Sequence, residues 1–557
     1  MERKKTSHDN VKIIPLGGVR EIGKNITVVE YKNDIVVIDC GLTFPDDEML
    51  GIDIVIPDFT YLEENRSRIR GIFVTHGHED HIGGIAYFLK KISVPVYGTP
   101  LTIGLLEKKL QEHRISREHL HVVHAGDRIR AGNLMVEFIR SSHSIPDSCM
   151  INVATPKGNV FFTGDYKVDY TPIDGQVIDF ARLSELSKEG VLALMADSTN
   201  IERPGYTMSE RTVGETFKNL FARAKARIIV ATFASNVHRI QQIITAAEHY
   251  HRKVALSGRS MINTVTVAME LGYLKMRKTT LIDIEDIGNF RPNQIVLLTT
   301  GSQGEPLSAL TRMANGQHRK VQLDPTDLVI LSANPIPGNE VSVYNIINNL
   351  MERGVEVIYS SLADIHVSGH ACQEESKLIH TLLKPKYFLP VHGEYRHLTI
   401  HRDLAISMGM KPDHIFIGHN GDVIELTPNG IVCEKTVTAG AVMVDGLGIG
   451  DVGEVVLRDR RILSEDGMII AMVTVDRSAR YINTDVDLIS RGFVYVKESE
   501  DLMDGAKKEL KKVLERCQEK RIFDWSSIKT EVRTSLRRYI SRTTKRDPMI
   551  IPIIIDA

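Results

Sequence analysis

Residues 71–84 read GIFVTHGHEDHIGG, an apolar run that ends on three histidines and two acids packed between His76 and His81. Buried imidazoles and carboxylates need partners, and in water they gain nothing by clustering. Something must hold them together. The run GIFV has the pattern of a buried strand, so His76 and His78, on either side of Gly77, leave one tight turn toward a single point. Asp80 and His81 follow where the chain can turn into a helix through IGGIAYFLKK, which carries them to a neighbouring point. Two imidazoles at i, i+2 followed by an Asp-His pair suit two cations side by side, because one cation would leave half the set idle.

Two cations need more donors than one loop offers, and the same kind of strand-end position supplies them. His143 stands in RSSHSIPDS, Asp165 in VFFTGD and His392 in YFLPVHGEY. Asp165 is the natural bridging carboxylate, since an oxygen shared by two dications offsets their repulsion. Imidazole and carboxylate without thiolate suit Zn²⁺ first, two per subunit, and Mn²⁺ second, with Mg²⁺ a further option and iron a weaker one.

From Val11 to about Asn200, short β-rich runs alternate with Gly- and Asp-containing turns, as in NITVVEY, DIVVIDCG and NVFFTGD. From about Thr207 the rhythm becomes helix-strand alternation, with SERTVGETFKNLFARA, RIIVATFA, HRIQQIITAAEHYH and KVALSG, which predicts a parallel α/β unit. Strand-end chemistry returns at KYFLPVHGEYRHL, so this unit is expected to be inserted into the first. Beyond Gly446, VGEVVLRD and GMIIAMVTV read as strands. Helices follow on Ala506, Leu510, Val513, Leu514 and Cys517 and on Ile528, Val532, Leu536 and Ile540, and PMIIPIIIDA closes as a strand. The expected organisation is 1–206 and 366–446 as two parts of one domain, 207–365 as the insert, and 447–557 as a small α+β tail.

Lys and Arg number 69 against 71 Asp and Glu, so overall charge gives no reason to expect a nucleic-acid ligand, and any such contact must come from local patches. Candidate patches are Arg223, Lys225 and Arg227, and the tail cluster Arg533, Arg537, Arg538, Arg542, Lys545 and Arg546. Five scattered cysteines without a CxxC pair favour free thiols in a reducing compartment. The N-terminal MERKKTSHDN has no apolar stretch behind it, and no run of about 18 apolar residues occurs, so neither a signal peptide nor a membrane span is expected.

HGHEDH followed by single His, Asp and His at strand ends resembles the metallo-β-lactamase superfamily, which implies an αββα sandwich with a dinuclear site at its edge. In that resemblance Asp39 of DIVVIDCG would hold the ligand loop by hydrogen bonds rather than touch metal. The inserted unit resembles the β-CASP domain of nucleic-acid-processing members, with Asp197 of LALMADSTN and His370 of HVSGHA matching that group's further acid and histidine. Over essentially the whole chain, including IPLGGVREIGKN, TTGSQGEP and ANPIPGNE, the sequence is similar to the ribonuclease J family.

The resemblance implies a metal-dependent ribonuclease that degrades 5′-monophosphorylated RNA from the 5′ end and also cuts internally, in mRNA decay and rRNA maturation. His370 is the candidate for protonating the leaving 3′-oxygen, Asp197 would position it, and Asp80 would serve catalysis as well as ligation. The loop His366-Val367-Ser368-Gly369-His370 would hold the terminal phosphate, with Ser368 offering a hydroxyl, Gly369 letting N–H groups approach, and the dipole of the following helix facing the loop. TTGSQGEP and NPIPGNE would line an RNA channel. Expected partners are RNA, further copies in a homodimer or homotetramer, a paralogue, and RNA-degradation machinery, in the cytoplasm. Rival readings are a β-CASP nuclease for another nucleic acid, and a weakly active RNA-binding partner of a catalytic paralogue.

Overall fold

The computed structural model of the chain describes residues 10–46, 48–305, 307–336, 339–476, 478–494 and 500–556. Pro306 of TTGSQGEP and Pro337 and Gly338 of NPIPGNE lie outside the described residues. The chain forms two contact units. One holds the described residues up to Thr43 together with Val55–Val442, and the other holds Phe44–Ile54 and the residues from Met443 onward.

In the first unit, two sheets pack face to face. The eight-stranded sheet runs Gly430–Thr436, Asp422–Thr427, Val11–Gly17, Ile26–Tyr31, Asp34–Ile38, Ile69–Phe73, Val96–Gly98, Leu120–Val122. The six-stranded sheet runs Tyr387–Val391, Val191–Asp197, Gly158–Phe162, Cys149–Thr155, Leu134–Arg140, Arg128–Ala131. Alternate residues from both sheets, such as Val29, Val36 and Phe73 against Val136, Phe138, Ile151 and Val160, form one buried core. On the outer face of the second sheet, Phe161 and Leu194 meet Leu183 and Leu186 of helix Phe180–Glu189 and Ile379 and Leu383 of helix Gln373–Leu383. These layers form the expected metallo-β-lactamase sandwich.

Between strands Val191–Asp197 and Tyr387–Val391 the chain builds a third sheet before returning. Its strands run Leu281–Ile282, Lys253–Ser257, Ile295–Thr299, Ile228–Ala231, Leu328–Leu331, Glu356–Ile358, and every pair is parallel. Parallel sheets are covered on both faces. Accordingly Ile228 and Val230 pack with Phe217, Ile240 and Ile243, whereas Ile229 and Ala231 pack with Met313, Ile346 and Leu350.

In the second unit, Met468–Asp476 pairs antiparallel with Tyr481–Ile482 and Asp487–Arg491 and parallel with Met549–Asp556. Ile469, Ala471, Val473 and Val475 face Leu510, Val513 and Leu514 of Glu500–Glu519 and Ile528, Val532, Leu536 and Ile540 of Trp525–Thr544. The spacing in those two helices reads correctly from sequence. VGEVVLRD does not, because Glu454–Glu465 is an α-helix. Its two adjacent valines suggest a strand, but they sit in a segment of Leu, Arg and Glu that favours helix, and Val455 is 61 % exposed rather than half of a buried alternation. The linear reading also assigns 44–54 to the first domain. In the structure Arg460 Nη1 donates to the Leu50 carbonyl at 2.8 Å and Gly446 N to Asp53 Oδ2 at 2.8 Å, which ties that segment to the tail.

Candidate metal centre

Strand register gathers the site. Asp34–Ile38 and Ile69–Phe73 are parallel with Ile38 opposite Phe73, so Asp39 and the turn from Thr75 onward emerge side by side. Gly158–Phe162, Val191–Asp197 and Tyr387–Val391 are likewise parallel, with Phe162 opposite Met195 and Asp197 opposite Val391, so Asp165, Asp197 and His392 emerge together. The carboxyl ends of parallel strands are where open α/β sheets place their ligands. Gly41 allows the closest approach, since a Cβ there would lie 1.6 Å from the Asp80 carbonyl oxygen.

All the histidines and acids singled out for metal binding converge. One group is His76, His78, His143 and Asp165, a second is Asp80, His81, Asp165 and His392, and a third is Asp165, Asp197, His370 and His392; within each group the donor atoms lie within 4.8 Å of one another. Asp165 belongs to every group, as a bridging carboxylate must. Its Oδ1 lies 3.1 Å from His392 Nδ1 and 3.3 Å from His81 Nε2, yet among the described residues it accepts no well-directed hydrogen bond. A buried carboxylate oxygen ringed by imidazole nitrogens is a donor set that fits a cation.

Hydrogen bonds behind the ligands fix which nitrogen each presents. Asp39 is an acceptor only; it takes Thr75 N at 2.7 Å, Thr75 Oγ1 at 2.9 Å and His81 Nδ1 at 2.8 Å. His81 therefore carries its proton on Nδ1 and turns Nε2 toward Asp165 and Asp80. The single Thr75 hydroxyl hydrogen goes to Asp39, so Thr75 Oγ1 accepts from His76 Nδ1 at 2.9 Å and His76 also turns Nε2 inward, 3.6 Å from Asp165 Oδ2. His143 Nδ1 donates to the Gly369 carbonyl at 2.7 Å and leaves Nε2 for the site. His78 faces inward through Nδ1, 3.1 Å from both His76 Nε2 and His143 Nε2. Three imidazoles thus aim lone pairs at one point, the opposite of what isolated histidines do.

Burial drives the His76 and His143 pKa values well below their ordinary range, and His78 to about 4. Burial pulls His81 and His392 the same way, but the Asp165 carboxylate prevails and both rise well above it. Burial would raise the carboxyls of Asp165, Asp80 and Asp197; the neighbouring imidazoles hold all three below the usual range.

Sequence reasoning gave no role to Thr75, Asn25 or Thr199. Thr75 stands inside the quoted run, but its relay between Asp39 and His76 needs the neighbouring strand. Asn25 Nδ2 lies 3.2 Å from the Asp80 carbonyl oxygen and 3.1 Å from His81 Nε2. Thr199 Oγ1 donates to Asp197 Oδ1 at 2.7 Å and stands 3.0 Å from His392 Nδ1.

His370 lies across the site with Nδ1 2.8 Å from Asp197 Oδ2. Around it, the loop that the sequence assigns to phosphate differs from expectation in one respect. The helix Gln373–Leu383 does not offer its N-terminus to the loop. Its first N–H groups are taken within the protein, Gln373 N by the Arg203 carbonyl, Glu374 N by the Gly205 carbonyl and Cys372 N by the Glu375 carboxylate, which also accepts from Val168 N and Thr207 N. An acid in the first turn already occupies the positive end of the dipole. Gly369 also has a further reason to be glycine. A Cβ there would stand 2.5 Å from His143 Cε1 and 2.8 Å from its Nδ1. Gly369→Ala should push the His143 ring out of line and weaken cation binding roughly 10- to 100-fold, read as a rightward shift in activity against metal concentration. An unshifted titration would refute it.

The basic patches are partly spent. Arg223 pairs with Glu356 at 2.9 Å, Arg227 with Asp327 at 2.5 Å, and Arg537 with Asp547. All five cysteines are free, and no helix among the described residues is long and apolar enough to cross a membrane.

A two-sheet sandwich with His and Asp donors at its strand ends, interrupted by a parallel α/β insert, defines a metal-binding hydrolase of the metallo-β-lactamase superfamily with a β-CASP domain. The metallo-beta-lactamase superfamily profile matches residues 19–186, and the profile described as "Zn-dependent metallo-hydrolase RNA specificity domain" matches 354–417. Profiles for the ribonuclease J beta-CASP domain and the ribonuclease J C-terminal domain match residues 225–350 and 455–557. Ribonuclease J2 of Bacillus subtilis (strain 168) is 43% identical over 554 residues, 99% of this chain and 100% of that protein. Ribonuclease J 1 of Streptococcus pyogenes serotype M3 is 43% identical over 548 residues, 98% of each chain. A protein of unknown function from Enterococcus faecalis V583 shares the fold, with TM-score 0.54 and 16% identity over 75% of this chain and 100% of that one. The chain belongs to the ribonuclease J family. It is a nuclease that binds RNA and metal.

Proposed function

We propose that this nuclease degrades RNA from a 5′-monophosphorylated end, one nucleotide at a time, and also cuts internally, in mRNA decay and rRNA maturation in the cytoplasm. The observation that carries this reading is the way the loop His366–His370 is tied down. Three of its five carbonyls are held within the protein: Val367 O accepts from Arg239, Gly369 O from His143, and His370 O from Thr207. Among the described residues, the N–H groups of Val367, Ser368 and Gly369 meet no acceptor. A loop with three consecutive unspent N–H groups and most of its carbonyls bonded suits an anion. Because Gly369 is bonded directly to His143, a terminal phosphate held there would lie beside the metal-binding groups, which sets a short register for cleavage.

Two Zn²⁺ per subunit, with Mn²⁺ or Mg²⁺ as alternatives, are the proposed cations, with His76, His78 and His143 around one, Asp80, His81 and His392 around the other, and Asp165 between. When bound, they would bring the ionisation of a water from a pKa of ~16 toward about 7 and offset charge on the phosphate oxygens. The protein's own part is positional. Asp39 and Thr75 keep the ligand tautomers, Asp197 aligns His370, and His370 delivers a proton from Nε2 to the departing 3′-oxygen as the phosphorus–oxygen bond breaks. Assembly as a homodimer or homotetramer, with or without a paralogue, and association with RNA-degradation machinery belong to the same proposal.

The test is a digestion of one RNA sequence bearing a 5′-monophosphate, 5′-triphosphate or 5′-hydroxyl, with metal content measured on the same sample. The monophosphate should be preferred over the hydroxyl by at least about 10-fold, as expected when charge-assisted hydrogen bonds are lost. Equal rates on the three ends would overturn the terminal-phosphate reading, and equal cleavage of DNA would overturn the RNA preference.

A further inference from the structure

Arg239 is a charged side chain with no exposed surface, 0 %, in the first turn of helix Val237–His249 of the inserted unit. Every N–H of its guanidinium is used. Nε and Nη2 grip the Glu210 carboxylate at 2.8 and 2.9 Å, and Nη1 donates to the Ser332 carbonyl at 3.0 Å. The remaining two bonds go to the phosphate loop, from Nη1 to His366 Nδ1 at 2.7 Å and from Nη2 to the Val367 carbonyl at 3.1 Å. Anchoring the insert would need only Glu210 and Ser332.

A guanidinium can only donate. His366 Nδ1 must therefore be the bare nitrogen, and the ring hydrogen sits on Nε2. Protonating Nδ1 would set two donors against each other at hydrogen-bond distance, and flipping the ring would put Cδ2–H there, which has no lone pair to accept. Burial and the Arg239 charge also keep His366 well below its ordinary pKa. We infer that Arg239 is a positioning residue for the terminal-phosphate loop, holding His366 as the neutral Nε2–H tautomer so that the loop meets a phosphate with an uncharged imidazole donor. The inference rests on the pocket proposed above.

It also explains a chemical oddity of that pocket. Phosphate sites commonly rely on Arg or Lys contacting the anion directly. Here the arginine lies one layer back, its charge is matched by Glu210, and its effect reaches the ligand through the imidazole.

The experiment compares kcat/KM on 5′-monophosphate and 5′-hydroxyl RNA, as a ratio, for the wild type, Arg239→Lys, His366→Gln and His366→Leu, with bound metal measured for each. Lysine keeps a charge for Glu210 but cannot serve the other acceptors with a planar fork. Glutamine keeps a carbonyl to accept from Arg239 and an N–H to donate onward. Arg239→Lys and His366→Leu should each reduce the ratio roughly 10- to 100-fold, with metal content unchanged, and His366→Gln should retain most of it. If Arg239→Lys does not fold, Arg239→Met combined with Glu210→Leu removes the whole buried pair, and the two His366 variants still decide the tautomer. An unchanged ratio in Arg239→Lys, a His366→Gln loss equal to that of His366→Leu, or metal lost along with the ratio overturns the inference. A wild type without any monophosphate preference would instead overturn the pocket itself, so the two failures are distinguishable.

Discussion

His78→Ala and Asp80→Ala should each abolish RNA cleavage, by about 10⁴-fold or more, while the fold survives. The size follows from what bound cations would supply: moving water's ionisation by roughly nine pKa units would be worth more than any other single contribution at the site. Each side chain is one of four donors in its group, and His78 Nδ1 is the atom on which His76 Nε2 and His143 Nε2 converge at 3.1 Å. The fold survives because neither side chain holds the turn. Asn25 N and Nδ2 grip Asp80 through its carbonyl oxygen, at 3.0 and 3.2 Å, and that oxygen remains in the alanine variant. Without a cation, four clustered donors are a burden on folding, so truncating one should change stability by no more than about 1 kcal/mol. Cleavage of end-labelled RNA, metal content and a thermal melt on the same preparations check all three statements. Full activity with metal lost would remove the cations from the mechanism.

Much of this was legible in the sequence because it is local. His76, His78, Asp80 and His81 share one turn, and their spacing alone marks them as a group of candidate ligands, which the fold brings together with His143, Asp165 and His392. The parallel insert was legible because strands buried on both faces, such as Ile228–Ala231, lose the alternation that a half-exposed strand would show. What stayed hidden depends on pairs far apart in the chain. Thr75 acquires its role only when Asp39 arrives from the adjacent strand. Gly369 reads as the residue that lets N–H groups approach a phosphate, whereas the structure shows it also making room for His143, which is 226 residues away in sequence. Glu375 looks like an ordinary first-turn acid, and only the fold brings Val168 N and Thr207 N to it and so removes the helix end from ligand binding. The helix Glu454–Glu465 reads as a strand for the converse reason, since its two β-branched valines stand out from the longer helix-favouring run around them.

His370→Ala should lower kcat by about 10²- to 10⁴-fold, the span expected for a general acid, without changing bound metal. The geometry favours this over ligation. Asp197 Oδ1 is saturated by Thr199 N at 2.9 Å and Thr199 Oγ1 at 2.7 Å, which leaves Oδ2 free to hold His370 Nδ1 at 2.8 Å. Burial would discharge the imidazole, but Asp197 raises its pKa above the ordinary value and sustains the protonated form that an acid needs. Asp197→Asn should therefore cost nearly as much as His370→Ala, since an amide neither stabilises imidazolium nor dictates its tautomer. The double variant should be no worse than either single one, because the two act as a unit. A substrate whose scissile 3′-oxygen is replaced by sulphur leaves without a proton and should restore much of the His370→Ala rate. The competing assignment is the third group, in which His370 joins Asp165, Asp197 and His392 as a ligand. If His370→Ala lost a cation, or if the sulphur substrate gave no rescue, His370 would be a ligand and another group would have to protonate the leaving oxygen.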